Sequence, residues 1–250
     1  MKPTVYLPSM LTLVALAACN SLSSPIIAAP HYTTYQVEGD SATVAGKLDE
    51  FRAALGGALN APNAPPAADG RREINWDGVP PAVTNVDNFP LDFFNVNSKR
   101  GALLSTPGTG LRVDSLDFGV PTQFHSFSPK KLFAAVGSDQ VAVDFKIVGT
   151  NTNGLVKGFG VVFSDVDIAG STVVVFYDAA GAVLASLAAP AKNSADEFSF
   201  LGAVFDTPLI ARVVIVSGNA ALSAAVTDVS AGGTKDLVVM DDFVYGEPQP

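Results

Sequence analysis

From Arg71 onward the chain is written in short apolar runs with a two-residue period, broken about every ten residues by Gly, Asp, Asn or Pro. In "VAVDFKIVG", Val141, Val143, Phe145 and Ile147 fall on one side, and Asp144 and Lys146 on the other. In "KGFGVVFSDVD", Phe159, Val161 and Phe163 share a face. Gly158 and Gly160 sit opposite, where they predict a bulge or the close approach of another backbone. "STVVVFYDAAGAVLASLAAP" has the pattern of a hairpin that turns at Asp178–Gly181, with Gly181 available for positive φ. "DEFSFLGAVFD", "LIARVVIVSG" and "KDLVVMDDFVYG" continue the series. Strands in that succession, with no helical period between them, predict an all-β antiparallel sandwich.

One helical pattern precedes the strands. Val44, Leu48, Phe51 and Leu55 recur at helical spacing, Asp40 or Ser41 can cap the start, and Gly56-Gly57 can end it. "NAPNAPPAADG" follows, and its prolines exclude helix and central strand, leaving a linker or a covering loop. The expected division is a helix and Pro-rich linker over residues 37–69 and one β-sandwich domain over 70–250. The 250-residue length suits one such domain, and 48% apolar against 16% charged residues supplies a large core. A formal net charge of −9 repels phosphate backbones, so nucleic acid is not an expected partner. His31 and His125 are the two histidines, which argues against His-rich zinc sites and leaves little for a nucleophile–histidine triad.

The N-terminus carries an address. Lys2 precedes an apolar run of about a dozen residues, Val5 to Leu16, of signal-peptide rather than membrane-spanning length. It ends in Leu16-Ala17-Ala18-Cys19, and Cys19 is the chain's one cysteine. That order resembles the lipobox of bacterial lipoproteins, in which the thiol is acylated and the chain is cut just before it. The resemblance implies a signal peptide over 1–18, lipid on Cys19 and a lipidated tether over 19–36. Acyl chains at roughly 0.8 kcal/mol per buried methylene would make the membrane a stable partner. Asn20 in place of aspartate implies an outer-membrane lipoprotein.

The blocks "GRREINWDGVP", "FFNVNSKRGALLSTPGTG", "FSPKKLFAAVGS", "GFGVVFSDVD" and "VVMDDFVYGEP" resemble those of an uncharacterised family of secreted bacterial β-proteins. The resemblance implies secretion and a β-fold. More loosely, the hairpin followed by "IARVVIVSG" and a closing Asp-Asp-Phe strand resembles jelly-roll carbohydrate-binding modules, many of which carry structural calcium. The expected fold is therefore a jelly-roll-like antiparallel β-sandwich with one N-terminal amphipathic helix.

Oxygen-rich turns make calcium the candidate cofactor, since it takes six to eight oxygen ligands at flexible geometry. Asp165 and Asp167, at i and i+2, would share a side roughly 6.6 Å apart. Asp241 and Asp242 are adjacent, so strand alternation predicts opposite faces, with Val239, Asp241, Phe243 and Tyr245 on one of them. Asn75, Asp77, Asp87 and Asn88 are further donors in turn-like settings. The competing reading is that these carboxylates only bond nearby backbone N–H groups. Trp76 and Tyr177 are the candidate ligand-binding aromatics, Trp76 being either a platform or a packed core residue. The pairs Arg71-Arg72, Lys99-Arg100 and Lys130-Lys131 are expected to be solvated or paired with the acidic surface. No serine elbow, Walker loop or catalytic residue is assigned. These features point to a noncatalytic binding or adhesion module of the cell envelope, for glycan and stabilised by calcium. The alternatives are a glycan-acting hydrolase using paired aspartates and a purely structural envelope component.

Overall fold

The computed structural model describes residues 30–192 and 197–250, together with Met1. The expected signal peptide, Cys19 and the first part of the tether lie outside the described residues. The strands are β1 (Tyr32–Gly39), β2 (Arg71–Ile74), β3 (Ala102–Ser105), β4 (Gly110–Asp114), β5 (Leu132–Val136), β6 (Gln140–Phe145), β7 (Gly158–Ser164), β8 (Val173–Tyr177), β9 (Val183–Ala188), β10 (Phe198–Phe205), β11 (Arg212–Val216) and β12 (Val239–Gly246). The helix α1 spans Ser41–Leu55, and a single turn, α2, spans Phe93–Val96. No helix among the described residues is long and apolar enough to cross a membrane.

The strands form two antiparallel sheets. Sheet A runs β1-β10-β7-β12-β5-β4, with β2 also paired to β12, and sheet B runs β3-β6-β11-β8-β9. Eight of these strands pair as one folded ribbon: β5 with β12, β6 with β11, β7 with β10 and β8 with β9. Successive pairs fall in alternate sheets, which is the jelly-roll winding of two antiparallel sheets. The expected sandwich is therefore present, with β1, β2, β3 and β4 added at its margins. Two-residue alternation sends Phe159, Val161 and Phe163 of β7 and Val213 and Ile215 of β11 into one core between the sheets.

The helix forms where its pattern placed it. Asp40 caps it, its carboxylate accepting from Thr43 N–H at 2.8 Å, and Gly56 ends it at φ 76°. Val44, Leu48, Phe51 and Leu55 pack on the outer face of sheet A, over Val162, Phe200, Val204 and Val244. The glycines of β7 and β10 face this helix. A Cβ on Gly202 would come within 2.8 Å of the Phe51 ring, and one on Gly160 within 3.0 Å. Gly158 admits the backbone of β10, where a Cβ would come within 2.7 Å of the Ala203 carbonyl, as well as Leu55 of α1, and Gly160 admits the rings of Phe200 and Phe51.

Two expectations change. Residues 32–36, assigned to the tether, begin β1, which pairs with β10 from Tyr32–Phe205 to Gly39–Phe198. Arg72, expected solvated or paired with the acidic surface, is paired but fully buried, in a two-pronged ion pair with Glu247 at 2.5 and 2.8 Å. Its remaining N–H groups donate to the carbonyls of Ala61 and Pro65, at 2.7 and 3.1 Å. The proline-rich stretch is thus a covering loop tied to the sheet by one guanidinium, whose planar fork suits this geometry. Removing one partner of such a pair leaves a bare buried charge. Glu247→Ala is expected to lower unfolding free energy by about 3–5 kcal/mol in urea melts. Phe51→Ala should lower it by a similar ~3–5 kcal/mol through the cavity it leaves.

Candidate functional sites: two carboxylate clusters and an open sheet face

The first cluster forms where β7 ends. Asp165 takes φ 74°, which breaks strand alternation and turns the chain. Lys192, in the β9–β10 connection, places its ammonium 2.9 Å from Asp165 Oδ1 and 2.7 Å from Asp167 Oδ1. Asp228 comes from the long connection between β11 and β12, and oxygens of all three carboxylates lie within 4.8 Å of one another. Asp228 is held as a cap, accepting from Ser230 N–H at 2.7 Å and Leu237 N–H at 2.7 Å. Asp236 fastens the same connection to the turn, accepting from the N–H groups of Asp167 at 3.1 Å and Ile168 at 3.0 Å. Oδ2 of Asp165 and Oδ2 of Asp167 are buried with no hydrogen-bond partner.

Asp165 is 2% exposed. Burial raises its pKa to about 6 against the pull of Lys192. Asp167 is also raised, by burial first and then by its contact with Asp228. The donor set is all oxygen, which suits a hard cation. The cluster could hold a metal ion. A hollow of about 180 Å³ lined by Thr122, Gln123, Asp165 and Ser230 opens beside it. It shares Val120, Gln123 and Ala231 with a larger cavity of about 510 Å³ that reaches Asp228. Of the expected ligands, Asp165 and Asp167 are here, while Asp241 and Asp242 are not. Asp87 instead pairs with Arg112 at 3.0 Å. Asp228 and Lys192 escaped the sequence reading because both come from connections distant in the chain. The capping pattern of Asp228-Val229-Ser230 was the only local signal.

The second cluster is the Asp241–Asp242 step of β12. Met240 pairs with Phe163 and Phe243 with Val161, so both aspartates oppose the single residue Val162. This is a β-bulge. It overturns the expected alternation, because Met240, Phe243 and Tyr245 face the core while Val239 and Val244 face outward. Both carboxylates then meet the hydroxyl of Ser128, at 2.8 Å from Asp241 and 2.7 Å from Asp242. Asp241 also accepts from the N–H groups of Phe127 at 2.6 Å and Ser128 at 3.2 Å. On the bulge's far edge β12 changes partner from β5, at Met240, to β2, from Phe243 onward. The Asp241 carbonyl left unpaired there accepts from Trp76 Nε1 at 2.8 Å.

Ser128 has one hydroxyl hydrogen and two carboxylate oxygens on it. With both acids ionised, one of those contacts would set lone pair against lone pair, so the arrangement favours a proton on the pair. Burial, at 0% and 6% exposure, raises both carboxyls, and mutual repulsion adds to the rise at Asp241. Arg52 lies close enough to pull Asp242 back, but it is itself committed to Glu73, at 3.0 and 2.8 Å.

The candidate aromatics part company. Trp76 is buried, stacked on Phe133 at 4.0 Å between centroids and edged by Phe94 and Phe243, so neither ring face is open to a ligand. Tyr177 is half-buried on the outer face of sheet B. It lines a groove of about 740 Å³ with Asp144, Lys146, Asn153, Asp178 and Arg212. A second hollow of about 310 Å³, bordered by Thr106, Pro107 and Gln140, meets it at Arg212 and Val214. Arg212 is paired with Asp144 at 2.8 and 2.9 Å.

A buried carboxyl whose pKa is raised on folding binds its proton more tightly in the folded state. Its contribution is full below the unfolded pKa and is lost as pH rises toward the folded one. Wild-type stability is therefore expected to fall as pH climbs above the usual carboxylate range. Asp242→Asn, which supplies a permanent N–H donor beside Asp241, should flatten that slope in urea melts run from pH 4 to 8. Asp241→Ala should instead destabilise at every pH, since it strands the Phe127 and Ser128 N–H groups, at about 1–3 kcal/mol each.

No protein-family model and no curated protein matches the chain. Among solved structures it is similar to the crystal structure of the enzymatically active domain of tailspike protein 4 from bacteriophage CBA120, at 18% identity and a TM-score of 0.28. That alignment covers 67% of this chain, and the chain spans 22% of the length of the tailspike chain.

Proposed function

We propose that the protein is a noncatalytic binding or adhesion module of the cell envelope that takes a glycan chain on the open face of sheet B. The observation that carries this reading is the groove there. The outer face of sheet A carries α1 over β7, β10 and β12, with the cavity of about 510 Å³ at its β4–β5 margin, whereas sheet B presents two hollows that both border Arg212 and Val214. Tyr177 supplies an apolar ring with a polar tip. Asp144, Lys146, Asn153 and Asp178 supply hydrogen-bonding groups of both kinds around it.

The alternative, a hydrolase working through paired aspartates, draws on the raised pKa of Asp165. Its access argues against it. Asp165 and Asp241 sit at or near zero exposure, Oδ1 of Asp165 held by Lys192 and the oxygens of Asp241 by Ser128 and backbone N–H groups, and the hollow of about 180 Å³ beside Asp165 is small for a sugar chain. In the proposed reading the three-aspartate cluster holds calcium. The three carboxylates bring oxygens within 4.8 Å of one another, close enough to gather around one ion after small side-chain adjustments toward calcium's ligand distance of roughly 2.4 Å. The module is carried on the outer membrane by lipid on Cys19.

Three measurements test the reading on the Cys19→Ser full chain, which keeps β1 intact. On a glycan array, binding should appear with wild-type residues in the groove and drop at least tenfold with Tyr177→Ala or Arg212→Ala; an array blank for all three sinks the glycan assignment. The melting temperature should rise with calcium and fall with chelator, by about 2.7 kcal/mol of stabilisation at a hundredfold excess over Kd. Membrane fractionation should find Cys19→Ser in the soluble fraction, and its retention in the membrane would remove the lipid anchor.

A further inference from the structure

We infer that Lys192 and a divalent cation exchange at the Asp165–Asp167 pair, the ammonium holding the site until the metal displaces it. The inference rests on the calcium reading above and adds to it the group that the metal must replace.

The ammonium sits between the two carboxylates, within 2.9 and 2.7 Å of one oxygen of each. That is where an ion bridging them would lie, so one position serves two cations. The lysine does the work incompletely. The ammonium meets two carboxylates and a third, Asp228, lies within 4.8 Å of them, so one positive charge faces three acids in a place where Asp165 and Asp228 each expose 2% of their surface. Oδ2 of Asp165 and Oδ2 of Asp167 remain without any hydrogen-bond partner. A lysine has three donors on a single point, whereas calcium engages six to eight oxygens around it. The second pair of oxygens is what the metal gains and the lysine does not.

Displacement asks little of the chain. The Lys192 N–H donates to the Val166 carbonyl at 2.8 Å, which pins its backbone to the turn that carries Asp165 and Asp167. The carbonyl of nearby Pro190 accepts from Ser199 Oγ at 2.7 Å. The side chain alone has to swing, and the hollow lined by Thr122, Gln123, Asp165 and Ser230 gives an ion its way in. With the lysine gone, Asp228, already held by Ser230 and Leu237, supplies the third carboxylate.

The test is isothermal calorimetry with calcium chloride, and magnesium chloride for comparison, at one fixed pH, on the full chain carrying Cys19→Ser. Lys192→Met, purified in calcium and then chelated, is expected to bind calcium at least tenfold more tightly than the unaltered site. It should also melt lower than wild type in chelator and recover with calcium. Asp228→Asn should lose at least tenfold in affinity. Because Lys192→Met is itself a stability risk, the side-chain ¹³Cε and ¹⁵Nζ resonances of Lys192 are followed in the unaltered site. They should move from paired to solvated values as calcium saturates. Equal calcium affinity with and without the lysine, or lysine resonances that stay put at saturation, overturns the exchange and leaves the calcium reading standing. Absence of any calcium binding to either protein overturns both.

Discussion

At Asp241 the central strand of sheet A carries one residue more than β7 can pair, and much of the surrounding architecture answers that excess. The bulge turns two neighbouring carboxylates to one side, frees a carbonyl on the other edge and marks the point where β12 passes from β5 to β2. Each disturbed group is met by a specific partner. Trp76 takes the carbonyl, Ser128 sits between the acids, and the Phe127 and Ser128 N–H groups fix the loop that brings Ser128 in. Trp76 then stacks on Phe133 of β5, so the bulge also sets how the β2 and β5 segments abut. A buried polar group of this kind is tolerated because its network is closed, and a network with a missing member would be worse than an apolar core.

The fold was legible in the sequence because two-residue periodicity is a local property. β6 to β11 follow from it in outline, and α1 follows from its own period and from Asp40 and Gly56. The margins were harder. β1 has no apolar alternation to announce it, since "YTTYQVEG" pairs at the sheet edge through backbone groups and buries little. Arg72 looks like any surface arginine until Glu247, far along the chain, is placed beside it. Alternation itself misled at Asp241 and Asp242, because a bulge is decided by what the neighbouring strands can accommodate and leaves no fixed mark in its own residues. The site divides in the same way. Asp165 and Asp167 declare themselves by spacing, while Lys192 and Asp228 belong to connections whose meeting point only the sheet topology determines.

The two acid clusters lie on opposite sides of one distinction. At Asp241–Asp242 two acids share a serine hydroxyl in an arrangement that favours a proton between them, and backbone N–H groups donate to Asp241. At Asp165–Asp167–Asp228 a lysine supplies one positive charge to two of three acids, and two oxygens are left over. Counting donors against acceptors therefore separates a structural pair from a cluster fit for a cation, although both are buried and both have raised carboxyls. Neither opens on the groove of sheet B, so the groups suited to chemistry and the surface suited to a large ligand occupy separate parts of the molecule.

The ribbon pairing of the jelly roll has a consequence for how the chain is made. β12 lies between β7 and β5, so the middle of sheet A is supplied by residues 239–246. A chain emerging from its N-terminus can form the β4–β5 and β8–β9 hairpins early, yet β5 and β7 have no shared neighbour until that last strand arrives. Helix α1 faces the same delay, because its apolar stripe rests on Phe200 and Val204 of β10 and on Val244 of β12, all of them made long after the helix itself.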